Sequence, residues 1–299
     1  MKDKQTIKKA VIPVAGLGSR FLPITLGVSK EMLPVIDAPV LLLILKECAD
    51  SGITDVLLIT RKGKGDIKKF FTQPASVIEG FEKNGKAKEL ELYKSVMSRL
   101  KISFRFQRND LTGSGGAVYV AKKWCNGEPF AVLFGDDINY VEEGEVPAIG
   151  QLINVYEKHH KLVLGCKKVE KSEISAYGSM ILGEEVEEGL YQSSGVVEKP
   201  KPGTEPSLIA SLARYVLPGN AFSYIERHLS CDRDITKEVC LTRDCMDEIL
   251  REQGGYAKIM ESIRFDTGNK LGYLKCITHY ALLDNTFGED YKNFLKTLV

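Results

Sequence analysis

Short apolar segments alternate with helical segments through the first half of the chain, and this alternation restricts the fold more than any other feature of the sequence. An apolar run from Lys9 to Ala15 ends at glycines, a mostly apolar helix is predicted from Ala38 to Ser51, and a second strand from Asp55 to Thr60. The pattern continues with a polar helical stretch at 64–99, a strand at 102–107, a helix at 115–124 and an apolar strand at 129–134. This order predicts a parallel sheet with helices on both faces.

The second half of the chain is less regular and predicts an extension of the same sheet with mixed strand directions. Its predicted segments are a helix at 147–159, strands at 162–168, 177–182 and 195–197, helices at 220–228 and 242–253, and a last helix at about 285–298. No internal repeat or low-complexity segment interrupts the sequence, and we predict a single domain over residues 1–299. The predicted fold class is α/β, with a Rossmann-like, mixed but mostly parallel sheet flanked by helices.

Charge and cysteine usage exclude several classes of protein. Forty-one Lys and Arg against forty Asp and Glu give a net charge of +1, without the basic excess that binds nucleic-acid backbones. The seven cysteines contain no Cys-x-x-Cys pair, which fits reduced thiols better than a disulfide framework or a zinc site. The first residues lead directly into strand-like sequence, and no apolar run reaches membrane-spanning length. We therefore expect a cytoplasmic protein that binds neither nucleic acid nor membranes.

A glycine-rich loop, Gly16 to Arg20, follows the first strand. Its glycines let the backbone approach a ligand closely and turn N–H groups toward anionic oxygens. A tight exit from a strand has the same composition, so the loop alone leaves both interpretations open. Arg20 and Lys30 add fixed positive charges on either side of the loop. That arrangement suits a triphosphate, although two solvated surface cations would look the same in sequence.

Two other nucleotide-binding loops fit this segment poorly. A dinucleotide-binding fingerprint needs a third glycine, where this chain has Phe21, followed by a helix that Pro23 disturbs. Asp37 lies near the offset of the acidic residue in that fingerprint, but it precedes a turn instead of ending a strand. The P-loop pattern of ATPases has no match in the sequence. An oxidoreductase and a P-loop ATPase are therefore disfavoured.

The segment 14–23, together with 30–34, resembles the bacterial UTP–glucose-1-phosphate uridylyltransferases. Further blocks resemble the same family in the same order, namely Gly135-Asp136-Asp137, Tyr177-Gly178, 197–202, 214–217 and 265–274. The resemblance implies the fold of the nucleotide-diphospho-sugar transferases. It also implies a nucleotide-binding half at about 8–140 and a sugar-phosphate-binding half at about 141–280, followed by the C-terminal helix.

Two aspartates are the candidate metal ligands. Asp136 follows an apolar strand, at the end where open α/β sheets bind their ligands, and carboxylate oxygens suit Mg²⁺. A pair of aspartates after a strand also occurs as a turn or a helix cap. The resemblance implies that Asp136 and Asp266 together hold the metal.

The resemblance also implies the remaining site residues. The implied nucleotide contacts are Ala15, Gly16, Gly18, Ser19, Gln107 and Gly113. The implied sugar-phosphate contacts are Gly178, Glu198 and Lys199. Three cations are implied to be catalytic, namely Arg20, Lys30 and Lys199. Taken without the resemblance, Glu198 and Lys199 would be interpreted as an exposed strand end, and Gln107 as a polar strand end.

The reaction implied by the resemblance is attack of glucose 1-phosphate on the α-phosphorus of UTP, giving UDP-glucose and pyrophosphate with Mg²⁺. A phosphate monoester has a second pKa of about 6, so the nucleophile is largely ionised and needs no general base. This agrees with the absence of histidine beside the motifs. The family commonly forms dimers or tetramers, so a homodimer or homotetramer is implied. Two alternatives stay open: the same reaction with another sugar 1-phosphate or dTTP, and a non-catalytic nucleotide-sugar-binding regulator.

Several departures from the family pattern lie near the predicted nucleotide site. The segment 25–30 lacks the family's Lys after the threonine and its Pro at position 29, and it resembles the glucose-1-phosphate thymidylyltransferases instead. Gly116 stands where the family commonly has His, and the spacing from Gln107 to Gly113 is one residue longer. Ser19 replaces the usual Thr and keeps the hydroxyl. These differences leave the choice between UTP and dTTP open.

Overall fold

A computed structural model describes residues 7–229 and 238–298, and every structural statement below concerns those residues. Residues 1–6, the segment 230–237 with Cys231, and Val299 lie outside them. The strands are β1 Lys9–Pro13, β2 Pro34–Val35, β3 Ala38–Pro39, β4 Asp55–Thr60, β5 Lys101–Phe106, β6 Phe130–Leu133, β7 Asp137–Tyr140, β8 Leu162–Lys168, β9 Gly178–Glu187, β10 Leu190–Glu198, β11 Ile209–Leu217, β12 Gly255–Ile259 and β13 Ile263–Asp266.

In the first half the predicted helical stretches are divided, since 64–99 forms three helices and 115–124 forms two, and the second half adds a helix. The helices are α1 Val40–Asp50, α2 Gly65–Phe71, α3 Ala75–Lys83, α4 Glu91–Arg99, α5 Gly113–Tyr119, α6 Lys122–Cys125, α7 Ala148–His159, α8 Ala221–Arg227, α9 Asp247–Gln253, α10 Lys270–Leu283 and α11 Gly288–Lys296. The helix α10 was not predicted, and it begins where the Asn269 side chain accepts a hydrogen bond from the Gly272 N–H at 2.8 Å. None of these helices is both long and apolar enough to cross a membrane.

The central sheet has nine strands in the order β5-β4-β1-β6-β11-β8-β12-β10-β9. The first four run parallel to one another, whereas β11 pairs antiparallel with both β6 and β8. The pair β8 and β12 is parallel, and β10 is antiparallel to its neighbours β12 and β9. In this sheet β11 and β10 therefore oppose the direction of the other strands. The predicted mixed α/β fold is confirmed.

Successive residues of β1 point to opposite faces of the sheet and pack in two separate cores. Ile12 packs in the core that contains α1, α4 and α7, and Val11 packs in the core that contains α5, α8 and α9. This alternation follows from the two-residue period of a strand and buries helices against both faces. Two small ribbons, β2 with β3 and β7 with β13, lie outside the nine-stranded sheet.

The central strand β11 was not predicted from the pattern of the sequence, although it lies between the two halves of the sheet. Its run of apolar residues is interrupted by Arg214, which is 0% exposed. A charged side chain is rarely buried unless it is paired, and no local pattern reveals a partner. Here the partner is Glu47 of α1, whose carboxylate oxygens accept from Arg214 Nε at 2.9 Å and Nη2 at 2.7 Å.

Candidate active site

β1 ends in the glycine loop, whose backbone is constrained by its neighbours. Gly18 has a φ of 67°, which favours glycine, and its carbonyl accepts a hydrogen bond from the Thr25 hydroxyl at 2.9 Å. Ser19 and Arg20 follow on the exposed side in a short 3₁₀ turn. Arg20 Nη1 donates to the carbonyl oxygen of Gly268 at 3.4 Å. The loop therefore reaches the segment that carries the second predicted metal ligand.

Lys30 runs beside the loop and reaches the first predicted metal ligand. A Cβ at Gly16 would lie 3.6 Å from Lys30 Nζ, and the same ammonium group forms an ion pair with Asp136. Burial acts to lower the pKa of Lys30, but the carboxylates of Asp136, Glu31 and Asp266 outweigh it and raise that pKa above its ordinary value. Lys30 is therefore a fixed positive charge between the loop and the carboxylates.

Two polar clusters hold the segment around residue 30 in place. Glu31, which is 1% exposed, pairs with Lys64 at 2.7 Å, and Lys64 Nζ also donates to the Val14 carbonyl at 2.8 Å. Asp66 in the first turn of α2 accepts from the backbone N–H and the hydroxyl of Ser29, both at 2.7 Å. Sequence reasoning missed Lys64 and Asp66, because only the folded chain brings them to the loop.

The two predicted metal ligands come together at the ribbon of β7 and β13, where Asp137 and Asp266 are opposite each other. A Cβ at Gly268 would lie 2.6 Å from Asp136 Oδ2 and 3.0 Å from Asp266 Oδ1, so both carboxylates face the same point. The Thr267 hydroxyl donates to the Asp136 carbonyl at 2.8 Å and ties the two segments together. Any side chain at position 268 would separate the two carboxylates.

This pair of carboxylates fits a hard divalent cation. Mg²⁺ is commonly held in proteins by one or two carboxylates and completes its shell with water and substrate phosphates. No group of three or more His, Cys, Asp or Glu side chains suited to a metal occurs in the part of the chain that the structure describes. Asp136 is partly exposed and lines the cleft described next, and its Oδ2 accepts a hydrogen bond from Lys30.

A cleft of about 670 Å³ opens where β1, β4, β5 and β6 end at their carboxyl termini. Six of the predicted site residues line it, namely Ala15, Gly16, Lys30, Gln107, Gly113 and Asp136. Arg61 and Lys62 also line it, and they directly follow β4. Sequence reasoning missed these two cations, although their position after a buried strand is the same signal that identified Asp136. The volume and the basic lining suit an anionic small molecule.

One end of the cleft is walled by the loop from Gln107 to Gly113. Gln107 Nε2 donates to the carbonyl oxygens of Leu111 at 2.6 Å and Gly113 at 3.3 Å, which leaves the side-chain oxygen as an acceptor. A Cβ at Gly116 would lie 2.6 Å from the carbonyl carbon and oxygen of Leu111. The loop thus occupies the space that a side chain at 116 would need. The Val239 carbonyl accepts from the Gly115 N–H at 2.8 Å and closes this wall from outside.

The predicted sugar-phosphate residues lie at the ends of β9 and β10, where Gly178 pairs with Glu198. A Cβ at Gly178 would lie 3.3 Å from Glu198 Oε2 and 3.2 Å from the methyl carbon of Thr242. Burial raises the pKa of Glu198, although Lys199 and the Thr242 hydroxyl act to lower it. Lys199 is exposed, has a φ of 47°, and donates its backbone N–H to the Tyr177 carbonyl at 2.9 Å.

Thr242 was not predicted as a site residue and begins a π-helical segment, Thr242–Met246. Such single-turn insertions often occur at functional sites, because they change the direction of one side chain within a helix. The helix predicted over 242–253 therefore contains this segment followed by α9. A period of 3.6 residues could not reveal it.

The predicted residues form two groups. Six of them line the cleft, and Asp266 faces Asp136 at its edge, whereas Gly18, Ser19 and Arg20 continue the glycine loop without lining the cleft. Gly178, Glu198 and Lys199 form a separate cluster at the end of β10. Within residues 7–229 and 238–298, no hydrogen bond or ion pair joins Lys199 directly to the carboxylates.

These features define a class, an α/β protein with a nucleotide-sized cleft that carries basic side chains and lies beside paired carboxylates. Residues 9–281 match the family described as Nucleotidyl transferase, and the chain belongs to that family. The predicted family resemblance is thereby confirmed.

Several relatives match over nearly the full chain. The UTP–glucose-1-phosphate uridylyltransferase of Staphylococcus epidermidis is 39% identical over 293 residues, covering 98% of each chain. The UTP–glucose-1-phosphate uridylyltransferase 1 of Staphylococcus saprophyticus is 37% identical over 294 residues, covering 98% of this chain and 99% of its own. Among solved structures, UTP-bound UGPase from Acinetobacter baumannii has a TM-score of 0.86 at 29% identity, covering 98% of this chain and 100% of its own.

Proposed function

We propose that the chain transfers a uridylyl group from UTP to glucose 1-phosphate, giving UDP-glucose and pyrophosphate. The observation that carries the proposal is that Ala15, Gly16, Lys30 and Asp136 line one cleft, at whose edge the carboxylates of Asp136 and Asp266 face the same point. Relatives named for this reaction match across nearly the whole chain, and the similar structures include one in complex with UDP-glucose and one bound to UTP. The chain is a nucleotidyltransferase, and its substrates are UTP and glucose 1-phosphate.

The nucleophile is a phosphate oxygen of glucose 1-phosphate. It forms a new bond to the α-phosphorus of UTP in line with the bond to the β-phosphate, which breaks as pyrophosphate leaves. The nucleophile is already ionised, so no proton has to be removed, and no histidine lines the described cleft. Lys30 and Arg20 neutralise charge on the nucleotide phosphates, and Lys199 holds the sugar phosphate. The residues act by position and charge, without a covalent intermediate.

The metal assigned to Asp136 and Asp266 is Mg²⁺. When bound, it neutralises negative charge on the phosphate oxygens as the bond to pyrophosphate breaks. Asp136 and Asp266 supply the hard oxygen ligands, and the missing side chain of Gly268 keeps them together. Thr267 fixes the backbone of Asp136 from the opposite strand.

The nucleotide base is assigned to the wall formed by Gln107 and Gly113. A uracil ring carries an N–H between two carbonyl groups, and the free oxygen of the Gln107 amide is an acceptor for that N–H. Ala15, Gly16, Gly18 and Ser19 are assigned to the phosphates and ribose through their backbone. Glu198 and the backbone of Gly178 are assigned to the sugar hydroxyls.

We also propose a domain organisation, a location and an oligomeric state for the protein. It is one domain, with a nucleotide-binding half at about 8–140, a sugar-phosphate-binding half at about 141–280 and a C-terminal helix. It works in the cytoplasm as a homodimer or homotetramer, and it binds neither nucleic acid nor a membrane.

The direct test is chromatographic detection of UDP-glucose from UTP and glucose 1-phosphate with purified protein. UDP-glucose is expected with Mg²⁺, and its formation is expected to stop with EDTA and resume when Mg²⁺ is restored in excess. Formation at the same rate in EDTA would remove the metal assignment. No UDP-glucose under any of these conditions would contradict the reaction itself.

A further inference from the structure

A chain of buried charges begins beside the first metal ligand. Asp137, which is 3% exposed, directly follows Asp136. Its Oδ2 accepts from Arg264 Nε at 2.7 Å, and its backbone carbonyl accepts from Arg214 Nη2 at 2.6 Å. A buried carboxylate held by two guanidinium groups has little freedom to move, because every displacement would leave a charge unpaired. The backbone that carries Asp136 is therefore fixed.

Arg264 extends this chain toward the sugar-phosphate cluster. It lies on β13, two residues before the second metal ligand Asp266, so it is attached to both carboxylate segments. Its Nη1 donates to the Tyr177 hydroxyl at 3.3 Å, and its guanidinium carbon lies 5.3 Å from the centre of the Tyr177 ring. Tyr177 is held by a hydrogen bond and by a cation–π contact from the same side chain.

Tyr177 in turn holds the backbone of the sugar-phosphate lysine. Its carbonyl accepts the Lys199 N–H at 2.9 Å, and the next residue, Gly178, pairs with Glu198. Lys199 has a φ of 47°, a conformation that is unfavourable for a non-glycine residue and persists only where neighbouring contacts maintain it. The Tyr177 carbonyl is such a contact.

We propose that Arg264 and Tyr177 form a bracket that positions Lys199 and Glu198 relative to Asp136 and Asp266. Arg264 and Tyr177 are positioning residues in this proposal and touch neither substrate nor metal. The inference rests on the proposed function, since it explains how a sugar phosphate at Lys199 is aligned with a nucleotide at the carboxylates. An in-line displacement is sensitive to such alignment, because small misplacements of the reacting atoms reduce the rate strongly.

The alternative is that Arg264 serves only to neutralise Asp137 and stabilise the fold. The variant Tyr177→Phe separates the two roles, because it leaves the ion pair of Arg264 with Asp137 intact and removes only the hydroxyl. Tyr256→Phe on β12 is the matched control, since the Tyr256 ring packs against His159 at a tilt of 31° and lines no part of the cleft.

The experiment measures kcat and KM for each substrate by pyrophosphate release. Tyr177→Phe is expected to lower kcat/KM for glucose 1-phosphate by roughly 3- to 10-fold, the range for losing one hydrogen bond, and to leave KM for UTP unchanged. In a Lys199→Ala background the same change is expected to have a smaller effect than in the wild type, because only Glu198 remains to be positioned. Tyr256→Phe is expected to match the wild type.

Three results would overturn the bracket. Tyr177→Phe could behave like the control, it could raise KM for UTP as much as KM for glucose 1-phosphate, or its effect on kcat/KM could be undiminished in the Lys199→Ala background.

Arg264→Lys is a second variant that keeps a positive charge at Asp137 but loses the guanidinium group that reaches Tyr177. The same selective decrease in kcat/KM for glucose 1-phosphate is expected. An active wild type with an unaffected Tyr177→Phe variant refutes the bracket alone. A wild type without pyrophosphate release refutes the proposed function, and the bracket with it.

Discussion

The proposed nucleotide side and the proposed sugar side of the site are built in opposite ways. On the nucleotide side, parallel strands end in loops that pack closely because Gly16, Gly18 and Gly116 have no side chain: a Cβ there would contact Lys30, Thr25 and the Leu111 backbone, respectively. On the sugar side, antiparallel strands present the side chains of Glu198 and Lys199 at their ends. Substrate binding on the first side should therefore be impaired by substitutions that add a side chain, and on the second side by substitutions that remove one.

The carboxylates Asp136 and Asp266 lie at the junction between these two sides. They come from segments 130 residues apart in sequence and are brought together by the ribbon of β7 and β13. Their geometry depends on a missing side chain at Gly268 and equally on the charged partners of Asp137. A change at this junction should therefore affect both substrates, whereas a change on either side should affect one.

The largest effect is expected from Asp136→Asn, which removes a carboxylate proposed to bind the metal at the junction. Turnover should fall by roughly 100-fold or more, because charge neutralisation at the reacting phosphate is lost for both substrates. The thermal midpoint should stay close to that of the wild type, since Asp136 is partly exposed. Asp290→Asn on the exposed surface of α11 is the control. Near-normal turnover in Asp136→Asn would remove this residue from the metal site.

The next effect is expected from Lys199→Ala, which removes atoms on the sugar side. The loss of a charged contact to phosphate should lower kcat/KM for glucose 1-phosphate by roughly 10- to 100-fold. The affinity for UTP, measured by calorimetry, should be unchanged. Lys201→Ala, two residues further along the chain and also exposed, should behave like the wild type. Equal losses for both substrates would contradict the division into two sides.

A smaller and opposite test is Gly116→Ala, which adds one carbon on the nucleotide side. The new Cβ would collide with the Leu111 backbone, so the loop must move, at a cost of about 1–3 kcal/mol in the free energy of unfolding. KM for UTP should rise while KM for glucose 1-phosphate stays the same. Gly80→Ala in α3, with no atom within 4 Å of its Cβ, is the matched control and should be neutral or slightly stabilising. An unchanged KM for UTP would show that this loop does not shape the nucleotide site.

The smallest effect is expected at Ser29, where the family has Pro. Ser29 has a φ of −62°, which a proline accepts, but Ser29→Pro loses both hydrogen bonds to Asp66. The free energy of unfolding should fall by about 1 kcal/mol, and Ser29→Ala, which keeps the N–H, should lose about half as much. Urea denaturation of the two variants measures the difference. If both variants are as stable as the wild type, Asp66 does not support the segment that carries Lys30.

The nucleotide side was largely predictable because its features are contiguous in sequence. A buried strand, two glycines and the following cations occupy residues 9–30, and the same signal of an apolar strand before polar residues located Asp136. Arg61 and Lys62 could have been found by applying that signal to β4. The helix α1 followed from its apolar sequence, because it packs on one face of the sheet. The polar stretch 64–99 did not show where its three helices begin and end, and α3 within it has no buried side chain.

The sugar side was less predictable because distant residues create it. Thr242 reaches Gly178 through a π-helical segment that no periodic pattern reveals, and Arg264 is recognisable as part of the site only through its contacts with Asp137 and Tyr177. The strand β11 was missed for the same reason, since a buried Arg214 becomes favourable only when Glu47 is placed beside it. Long-range charge pairing is invisible to local propensity.

The most direct test of the account is pyrophosphate release by the purified protein with Mg²⁺, crossing UTP and dTTP with glucose 1-phosphate, galactose 1-phosphate and N-acetylglucosamine 1-phosphate. Fast release is expected with UTP and glucose 1-phosphate, and slow release with every other pair. Fast release with dTTP or another sugar phosphate would keep the mechanism and contradict the substrate assignment. No release with any pair would contradict catalysis itself and favour a protein that only binds nucleotide sugars.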